Sequence, residues 1–477
     1  MKLSVILILL FSFVIYAADT AEIRIGVLDS GTDFTHDLLK RVIDKHNPEF
    51  TGQKDVDDDK NSYVDDIFGW NFNDNSSQLV DLALAPANYD EILHFMEIYC
   101  KFQEVGMAGL GADDQKYLKE KAEDDAFMAK VTSTAEWAHG THVGGITAGE
   151  SSPVVIRGIS QAGLGASALI DIDEAVGQVC FAVSSNSRGN GRAEWRGIQD
   201  NPNFKEIVAE LEKVGQSKAE KMIAEGKYLA GQGMKIVNCS WGSDFVSLFK
   251  TVQQMMPQLG YEKATTAEVI EMTNLFVEKA LLPSGAELFK NLNGSLIVIA
   301  AGNTPFNTDN YKSLPVDVAE GCKLVVAATN GDKSLANFST WGPKKVDVAV
   351  PGVNVLSSYP GGKMGRMSGT SQAAPLAVRY ASVVLATNPS LTAEKLKEVI
   401  LSTVDKKPWL EGKVRSGGMI NVKRAASAAR AMSEGAGLEE AVTKAFQAVP
   451  ESKAFRGGEQ LRFGSEFEKE LYFKIVF

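Results

Sequence analysis

Short apolar runs alternate along the chain with longer stretches in which apolar residues recur every three or four positions. The runs are typical of buried β-strands, and the stretches are typical of amphipathic helices. Strands are predicted at residues 23–28, 179–184, 234–239, 295–301, 324–328 and 346–350. Because strands and helices alternate, the sequence predicts an α/β fold, doubly wound, with a mostly parallel sheet and helices on both faces.

The helical periodicity is clearest in a stretch between residues 77 and 134, which we interpret as a helical insertion. Helices are predicted at 89–105 and 114–131, then at 204–225, and from residue 371 to about 387. A further helix is expected to begin at His139, where a histidine precedes small residues and an apolar run. After residue 435 the pattern favours a short helix and then a β-like segment at 471–477.

The first 18 residues consist of a lysine at position 2, an uncharged apolar run and two alanines. This pattern is typical of a secretory signal peptide, and the run is too short for a comfortable membrane span. A buried first strand or a retained anchor is the alternative. We therefore expect an exported protein, secreted or periplasmic, with a catalytic domain at 19–430 and a C-terminal extension at 431–477.

Composition narrows the choice of partners. The 477 residues include 49 Lys and Arg against 60 Asp and Glu, a net charge of −11. Nucleic-acid binding needs a basic surface, so this acidic balance argues against such a partner. Cys100, Cys180, Cys239 and Cys322 show no metal-ligand spacing, and four cysteines could pair in three ways.

Polar residues whose side chains can take part in catalysis lie where predicted strands end or helices begin. Asp29, Ser240 and Asn303 each follow a strand, and His139 and Ser371 each open a helix. Taken singly, Asp29 could be a solvated turn residue, and Ser371 a helix cap. In doubly wound sheets, however, such positions lie along one edge, so we expect these side chains to converge. His139 is then suited to act as a general base, and Ser371 as a nucleophile.

A second candidate site is the stretch 55–66, which is dense in oxygen ligands. Oxygens at alternate positions of a tight loop suit a hard cation such as Ca²⁺. A solvated acidic loop without an ion is the alternative. The candidate metal ligands are Asp55, Asp57, Asp59, Asn61, Asp65 and Asp66.

The residues around the three catalytic candidates resemble the signatures of the subtilisin-like serine proteases (subtilases, peptidase family S8). These are Asp-Ser-Gly at 29–31, His-Gly-Thr-His at 139–142 and Gly-Thr-Ser-x-Ala-x-Pro at 369–375. The order acid, base, nucleophile is one of the chain orders known for serine triads. The resemblance covers roughly residues 22–430, and the insertion lengthens the interval between acid and base.

The resemblance implies a role for each residue. Ser371 would attack the scissile carbonyl, His139 would take and return its proton, and Asp29 would hold His139. Asn303 would donate its side-chain amide to the oxyanion, as would the Ser371 N–H. The family's substrate-binding segments match two further stretches, namely Ser240, Trp241 and Gly242, and Ala300, Ala301 and Gly302.

The expected protein is therefore an exported serine endopeptidase that forms an acyl-enzyme and acts on protein or peptide substrates. It needs no cofactor for its chemistry and would bind a structural Ca²⁺; a monomer without a membrane span after signal removal is expected. With about ten residues between Ala18 and Asp29, we expect no folding propeptide there, and a protein that folds unaided. A protease-like scaffold without catalysis is the main alternative. An ester hydrolase would favour Gly-x-Ser-x-Gly, which is absent at Ser371.

Overall fold

A ten-stranded, mostly parallel sheet forms the centre of the computed structural model, which describes residues 23–149, 154–160, 197–243, 245–450 and 465–472. The strands of this sheet are β1 (Ile23–Asp29), β2 (Gly69–Asn71), β3 (Val154–Ser160), β4 (Ile236–Cys239), β5 (Leu296–Ala300), β6 (Cys322–Asn330), β7 (Ser334–Leu335), β8 (Val348–Pro351), β11 (Asp405–Lys406) and β12 (Gly418–Met419). A separate antiparallel hairpin consists of β9 (Val355–Tyr359) and β10 (Lys363–Met367). The predicted signal peptide, the predicted strand at 179–184 and Cys180 lie outside the described residues.

Helices cover both faces of the sheet, as the sequence predicts. They are α1 (Pro48–Thr51), α2 (Tyr89–Val105), α3 (Ala112–Ala122), α4 (Asp125–Ala148), α5 (Phe204–Gly231), α6 (Phe245–Met255), α7 (Thr266–Phe276), α8 (Leu282–Asn291), α9 (Thr370–Thr387), α10 (Ala393–Ser402), α11 (Val422–Ser433), α12 (Leu438–Ala448) and α13 (Glu466–Tyr472). A five-residue π-helical segment, Val277–Leu281, joins α7 to α8.

The strand order changes direction at β1: the next strands along the chain lie on one side of β1, and the later strands lie on the other side. The order is β11-β12-β8-β6-β5-β4-β1-β3-β2, and β7 pairs with β6. From β1 the chain proceeds to β2 and β3 on one side, then returns to β4 on the other side. The carboxyl ends of β1 and β4 are therefore the switch point, where doubly wound folds bind their ligands.

Alternate residues of the strands pack into two hydrophobic cores, one on each face of the sheet. On β5, Leu296 and Val298 face the core under α4, α9 and α10, whereas Ile297 and Ile299 face the core under α5–α8. This period of two, on strands that are apolar throughout, is what a parallel sheet covered on both faces requires. The predicted fold class is confirmed.

The prediction that a helix begins at His139 is wrong. Helix α4 begins 14 residues earlier, at Asp125, and its N-terminus is capped by the Asp124 side chain, which accepts a hydrogen bond from the Phe127 N–H. The same helix start divides the predicted helix 114–131 into α3 and the first part of α4. His139 therefore projects from the middle of a 24-residue helix.

The C-terminal residues pack against the rest of the protein. The predicted boundary at residue 430 falls within α11, which packs against α12. Residues 471 and 472 belong to α13, so the predicted β-like segment is wrong at these two positions. The hydroxyl of Tyr99 on α2 lies 2.7 Å from the Leu471 carbonyl oxygen and 3.0 Å from that of Tyr472, within hydrogen-bonding distance of both.

Two further features concern membrane-spanning segments and the cysteines. No helix in the described ranges has the length and hydropathy needed to cross a membrane. Of the cysteines that the structure describes, Cys100, Cys239 and Cys322 are free thiols. Burial raises the pKa of the Cys100 thiol to about 12, so this sulfur is kept protonated and inert.

Candidate active site

Asp29 and His139 form the buried base of the site. Asp29 is the last residue of β1, and its Oδ1 lies 2.6 Å from Nδ1 of His139. The same oxygen accepts the Ser30 N–H at 2.8 Å. An ionised carboxylate can only accept, so Nδ1 carries the imidazole proton, and Nε2 is left as the basic nitrogen.

Two glycines allow α4 to come this close to the end of β1. A Cβ at Gly140 would lie 2.3 Å from the Gly31 carbonyl oxygen, and Gly31 itself has a φ of +109°. The Ser30 hydroxyl accepts the Gly140 N–H at 3.0 Å, which ties the helix to the residue after Asp29. Residues that look like helix breakers in the sequence thus serve close packing inside a helix.

Ser371 lies in the first turn of α9, against the strand that neighbours β1. Its Oγ donates a hydrogen bond to the Ser240 carbonyl oxygen at 3.0 Å, and the Ser240 hydroxyl donates to the Ser371 carbonyl oxygen at 2.9 Å. Because β1 and β4 pair in parallel with Leu28 opposite Cys239, Asp29 and Ser240 follow at neighbouring strand ends. The switch point therefore holds the Asp29–His139 pair next to the strand end that Ser371 contacts.

Asn303 is oriented by the residue that precedes the nucleophile. Its Oδ1 accepts the Thr370 N–H at 2.8 Å and the Thr370 hydroxyl at 2.9 Å. A backbone N–H can only donate, so these contacts assign the amide oxygen and leave the Nδ2 hydrogens for a ligand. The N–H of Ser371 belongs to the first turn of a helix and has no intrahelical acceptor. These two donors could together bind an oxyanion.

This geometry yields a prediction with an internal control. Asn303→Ala is expected to lower kcat by about 10²–10³, because one oxyanion donor is lost. It should also lower the melting temperature, since the buried Thr370 N–H loses its acceptor. Asn303→Asp keeps the acceptor and removes the donor, so it should lose comparable activity while retaining more stability. Full activity of either variant in steady-state assays would contradict the role.

The predicted substrate-binding segments are partly buried and form hydrogen bonds within the protein. Trp241 is buried in the core under α5–α8, and the neighbouring Ser243 N–H donates to the Leu314 carbonyl oxygen at 2.8 Å. Gly302 donates its N–H to the Thr370 hydroxyl at 3.1 Å and accepts the Thr340 N–H at 3.0 Å. Ala300 and Ala301 are buried, and Gly242 is partly exposed. Contact of these two segments with substrate stays a prediction.

The second histidine of the 139–142 motif, His142, contacts the β9–β10 hairpin rather than Asp29. Its Nε2 lies 3.1 Å from the Val355 carbonyl oxygen, and its ring meets Tyr359 edge to face at 5.6 Å between centroids. Burial, followed by the charge of His139, lowers the pKa of His142 to about 3. The ring is therefore a neutral, buried anchor between α4 and β9.

A pH dependence of stability follows from this anchor. Below about pH 6.5 the unfolded chain protonates His142, whereas the folded protein does not do so until about pH 3, so stability falls as the pH falls through that window. At pH 4 this difference in protonation lowers the free energy of unfolding by on the order of 3 kcal/mol relative to neutral pH. In urea unfolding, His142→Gln should lose correspondingly less stability between pH 7 and pH 4 than the wild type. Parallel losses in the two proteins would contradict this assignment.

The acidic loop places only part of the predicted ligand set together. Carboxylate oxygens of Glu49, Asp57 and Asp59 lie within 4.8 Å of one another, and Glu49 is a residue that the sequence analysis missed. Burial, followed by the charge of Asp66, raises the pKa of Asp59 to about 6. Asn61 bridges the loop through its side chain, since its Nδ2 donates to Asp59 at 3.0 Å and to Asp66 at 3.0 Å.

The remaining candidate ligands have other surroundings. Asp55 is exposed, and its N–H donates to Oδ2 of Asp65 at 2.9 Å. Asp66 is fully buried, accepts the Tyr228 hydroxyl at 2.6 Å and lies 3.4 Å from the Arg157 guanidinium. Asp66 thus neutralises a buried arginine of β3 and anchors the loop to the sheet.

Comparisons with known proteins identify the family of this chain. The family model for the subtilases (peptidase S8) matches residues 20–437. Subtilisin-like protease 1 of Plasmodium vivax is 24% identical over 408 residues, which are 85% of this chain and 47% of that protein. A thermostable alkaline protease of Halalkalibacterium halodurans is 37% identical over 113 residues, 24% of this chain and 30% of that protein.

A cold-adapted subtilisin-like serine proteinase is 18% identical, with a TM-score of 0.37 over 85% of this chain and 89% of that one. The chain spans about half the length, or less, of the curated relatives described above.

Proposed function

The chain belongs to the subtilase family, and from that premise we propose that it is a serine endopeptidase that hydrolyses peptide bonds through Asp29, His139 and Ser371. The observation that carries the proposal is the 2.6 Å contact between Asp29 and His139 beside the strand end that holds Ser371. A buried carboxylate, a histidine of defined tautomer and a serine at a helix start are the parts that acyl transfer needs.

The proposed mechanism follows from these atoms. Ser371 Oγ attacks the carbonyl carbon of the scissile peptide, and His139 Nε2 takes the hydroxyl proton. The oxyanion accepts hydrogen bonds from the Ser371 N–H and from Asn303 Nδ2. The C–N bond then breaks as His139 returns the proton to the leaving amine. A water molecule, deprotonated by His139, attacks the acyl-enzyme and releases the carboxylic acid and Ser371.

A labelling experiment tests the proposal. Wild-type protein should react with a fluorophosphonate at Ser371, as located by peptide mass mapping, and should cleave casein. Prior fluorophosphonate treatment should abolish the cleavage. Cleavage that persists after complete labelling, or labelling elsewhere in the chain, would contradict the proposed nucleophile.

We further propose that the acidic loop holds a structural Ca²⁺ between Glu49, Asp57 and Asp59. Three carboxylates concentrated in one place, with a raised pKa at Asp59, fit a hard cation that would neutralise their mutual repulsion. Backbone N–H groups already contact these carboxylates, as when the Ser62 N–H donates to Asp57 at 2.9 Å, so the loop geometry is set before an ion binds.

Chelation tests the calcium proposal. EDTA is expected to lower the melting temperature of the wild type by a few degrees, because an ion at 100 times its Kd contributes about 2.7 kcal/mol. Restoring Ca²⁺ should restore the transition. Asp57→Asn combined with Asp59→Asn should be insensitive to both treatments. Identical wild-type transitions with EDTA and with Ca²⁺ would argue against the site.

Export is proposed on the sequence of residues 1–18, supported by the family's typical extracellular setting. Expression of the full chain with its native start should deliver protein whose N-terminus lies close to residue 19. An intact N-terminus on cell-retained protein would contradict export.

A further inference from the structure

Helix α2 of the insertion reaches the segment that leads into the nucleophile. Residues 367–371, here called the nucleophile loop, connect β10 to Ser371. The loop is held against residues 352–354 by two hydrogen bonds: the Gly369 N–H donates to the Gly352 carbonyl oxygen at 2.8 Å, and the Asn354 N–H donates to the Ser368 hydroxyl at 2.9 Å. The position of Ser371 therefore depends on the conformation at Asn354.

Asn354 adopts a conformation that needs support. Its φ is +57°, in the left-handed region that L-residues rarely adopt, although asparagine tolerates it better than most. Its carbonyl oxygen accepts Nη1 of Arg366 at 2.8 Å. Its side-chain Nδ2 donates to Glu104 Oε2 at 2.6 Å, a charge-assisted hydrogen bond.

Glu104 stands where helix physics alone would not favour it. It belongs to the last turn of α2, where the helix dipole disfavours negative charge, and that turn holds no basic residue. Its carbonyl oxygen accepts Asn330 Nδ2 at 2.7 Å, at the end of β6. The main chain and the side chain of one residue thus join the insertion to the sheet and to the loop at 354.

We propose that Glu104 is a positioning residue for Ser371. It acts through Asn354, whose backbone N–H holds Ser368, and so fixes the nucleophile loop and with it the Ser371 N–H. Displacement of a reacting group by about 1 Å can cost about 10²-fold in rate, so a single contact in this chain can influence catalysis. The proposal rests on the proposed protease function.

Steady-state kinetics with matched variants test the positioning role. Glu104→Ala should lower kcat on a chromogenic peptide by about tenfold, with KM within twofold of the wild type. Glu104→Gln keeps an oxygen acceptor for Asn354 and should stay within threefold of wild-type kcat. Asn354→Gly accepts the left-handed backbone but loses the contact, so it should reproduce Glu104→Ala. The double variant should be no worse than either single one.

The control is Glu97→Ala, an exposed glutamate on the same helix, which should keep wild-type kcat. Hydrogen exchange of the Asn354 and Gly369 amides, which needs no catalysis, should be faster in Glu104→Ala than in the wild type. Unchanged exchange would overturn the contact itself, and faster exchange with unchanged kcat would overturn its role in positioning. Additive effects in the double variant, or a Gln variant as impaired as Ala, would also overturn it. A wild-type protein unreactive at Ser371 contradicts the protease function instead, while the exchange result still decides the contact.

Discussion

Replacing Ser371 by alanine is expected to lower kcat by about 10⁶, the loss that accompanies removal of this serine in a subtilisin. The reason is that the other hydroxyl in the first turn of α9, that of Thr370, is hydrogen-bonded to Asn303, whereas the oxyanion donors remain. Because binding groups and donors persist, a residual rate of about 10³–10⁴ over the uncatalysed reaction should survive. Hydrolysis of a chromogenic peptide, followed with the variant at high concentration, measures both numbers.

The fold should tolerate this change. Ser371→Ala removes one hydrogen bond to the Ser240 carbonyl oxygen, an acceptor that can take a water in its place. The melting temperature should therefore stay within a few degrees of the wild-type value. Proteolysis by the alanine variant within tenfold of the wild-type rate would end the assignment of Ser371 as nucleophile.

The second large effect is expected at Asp29. Asp29→Asn should lower kcat by about 10⁴ at neutral pH, because the asparagine amide can donate to His139 Nδ1. The imidazole proton would then move to Nε2, and the nitrogen that must accept the Ser371 proton would be blocked. Because the Ser30 N–H donates to the same Asp29 oxygen that faces His139, this N–H loses its acceptor when the amide nitrogen takes that oxygen's place.

The control for this variant is affinity rather than rate. A product peptide should bind the variant with a Kd close to that of Ser371→Ala, since the substrate cleft is unchanged. A kcat within tenfold of the wild type would show that His139 does not depend on Asp29 for its tautomer.

The sequence predicts strands β1, β4, β5, β6 and β8 for a physical reason, whereas it gives no prediction of β3. Strands buried on both faces are apolar throughout, so residues 296–300 and 322–330 are visible as runs without any tertiary information. Asp29, Ser240 and Asn303 end or follow such runs, and the parallel topology brings these strand ends to one edge. Asp29 and His139 are 110 residues apart in the chain, and the doubly wound topology brings them into contact.

Other features depend on contacts that a single sequence does not reveal. The true start of α4 was missed because Gly140 and Gly144 resemble helix breakers, whereas close packing against Gly31 and Thr32 requires them. Glu49 lies outside the acidic stretch, in the short helix α1, and only the folding of the chain brings its carboxylate next to Asp57 and Asp59. The sequence pattern of residues 55–66 therefore does not indicate it. The contact between Glu104 and Asn354 joins residues 250 positions apart, and neither residue stands out by its neighbours.

The pairing of β1 with a strand far along the chain also sets the order of events during synthesis. This strand leaves the ribosome well before its partner β4, which begins about 200 residues later. At translation rates of about 5–20 residues per second, the strand waits about 10–40 s before that partner exists. Five of its seven residues are apolar or glycine and buried in the final sheet. We therefore expect nascent chains stalled before residue 236 to recruit chaperones, and chains released after β6 to be free of them.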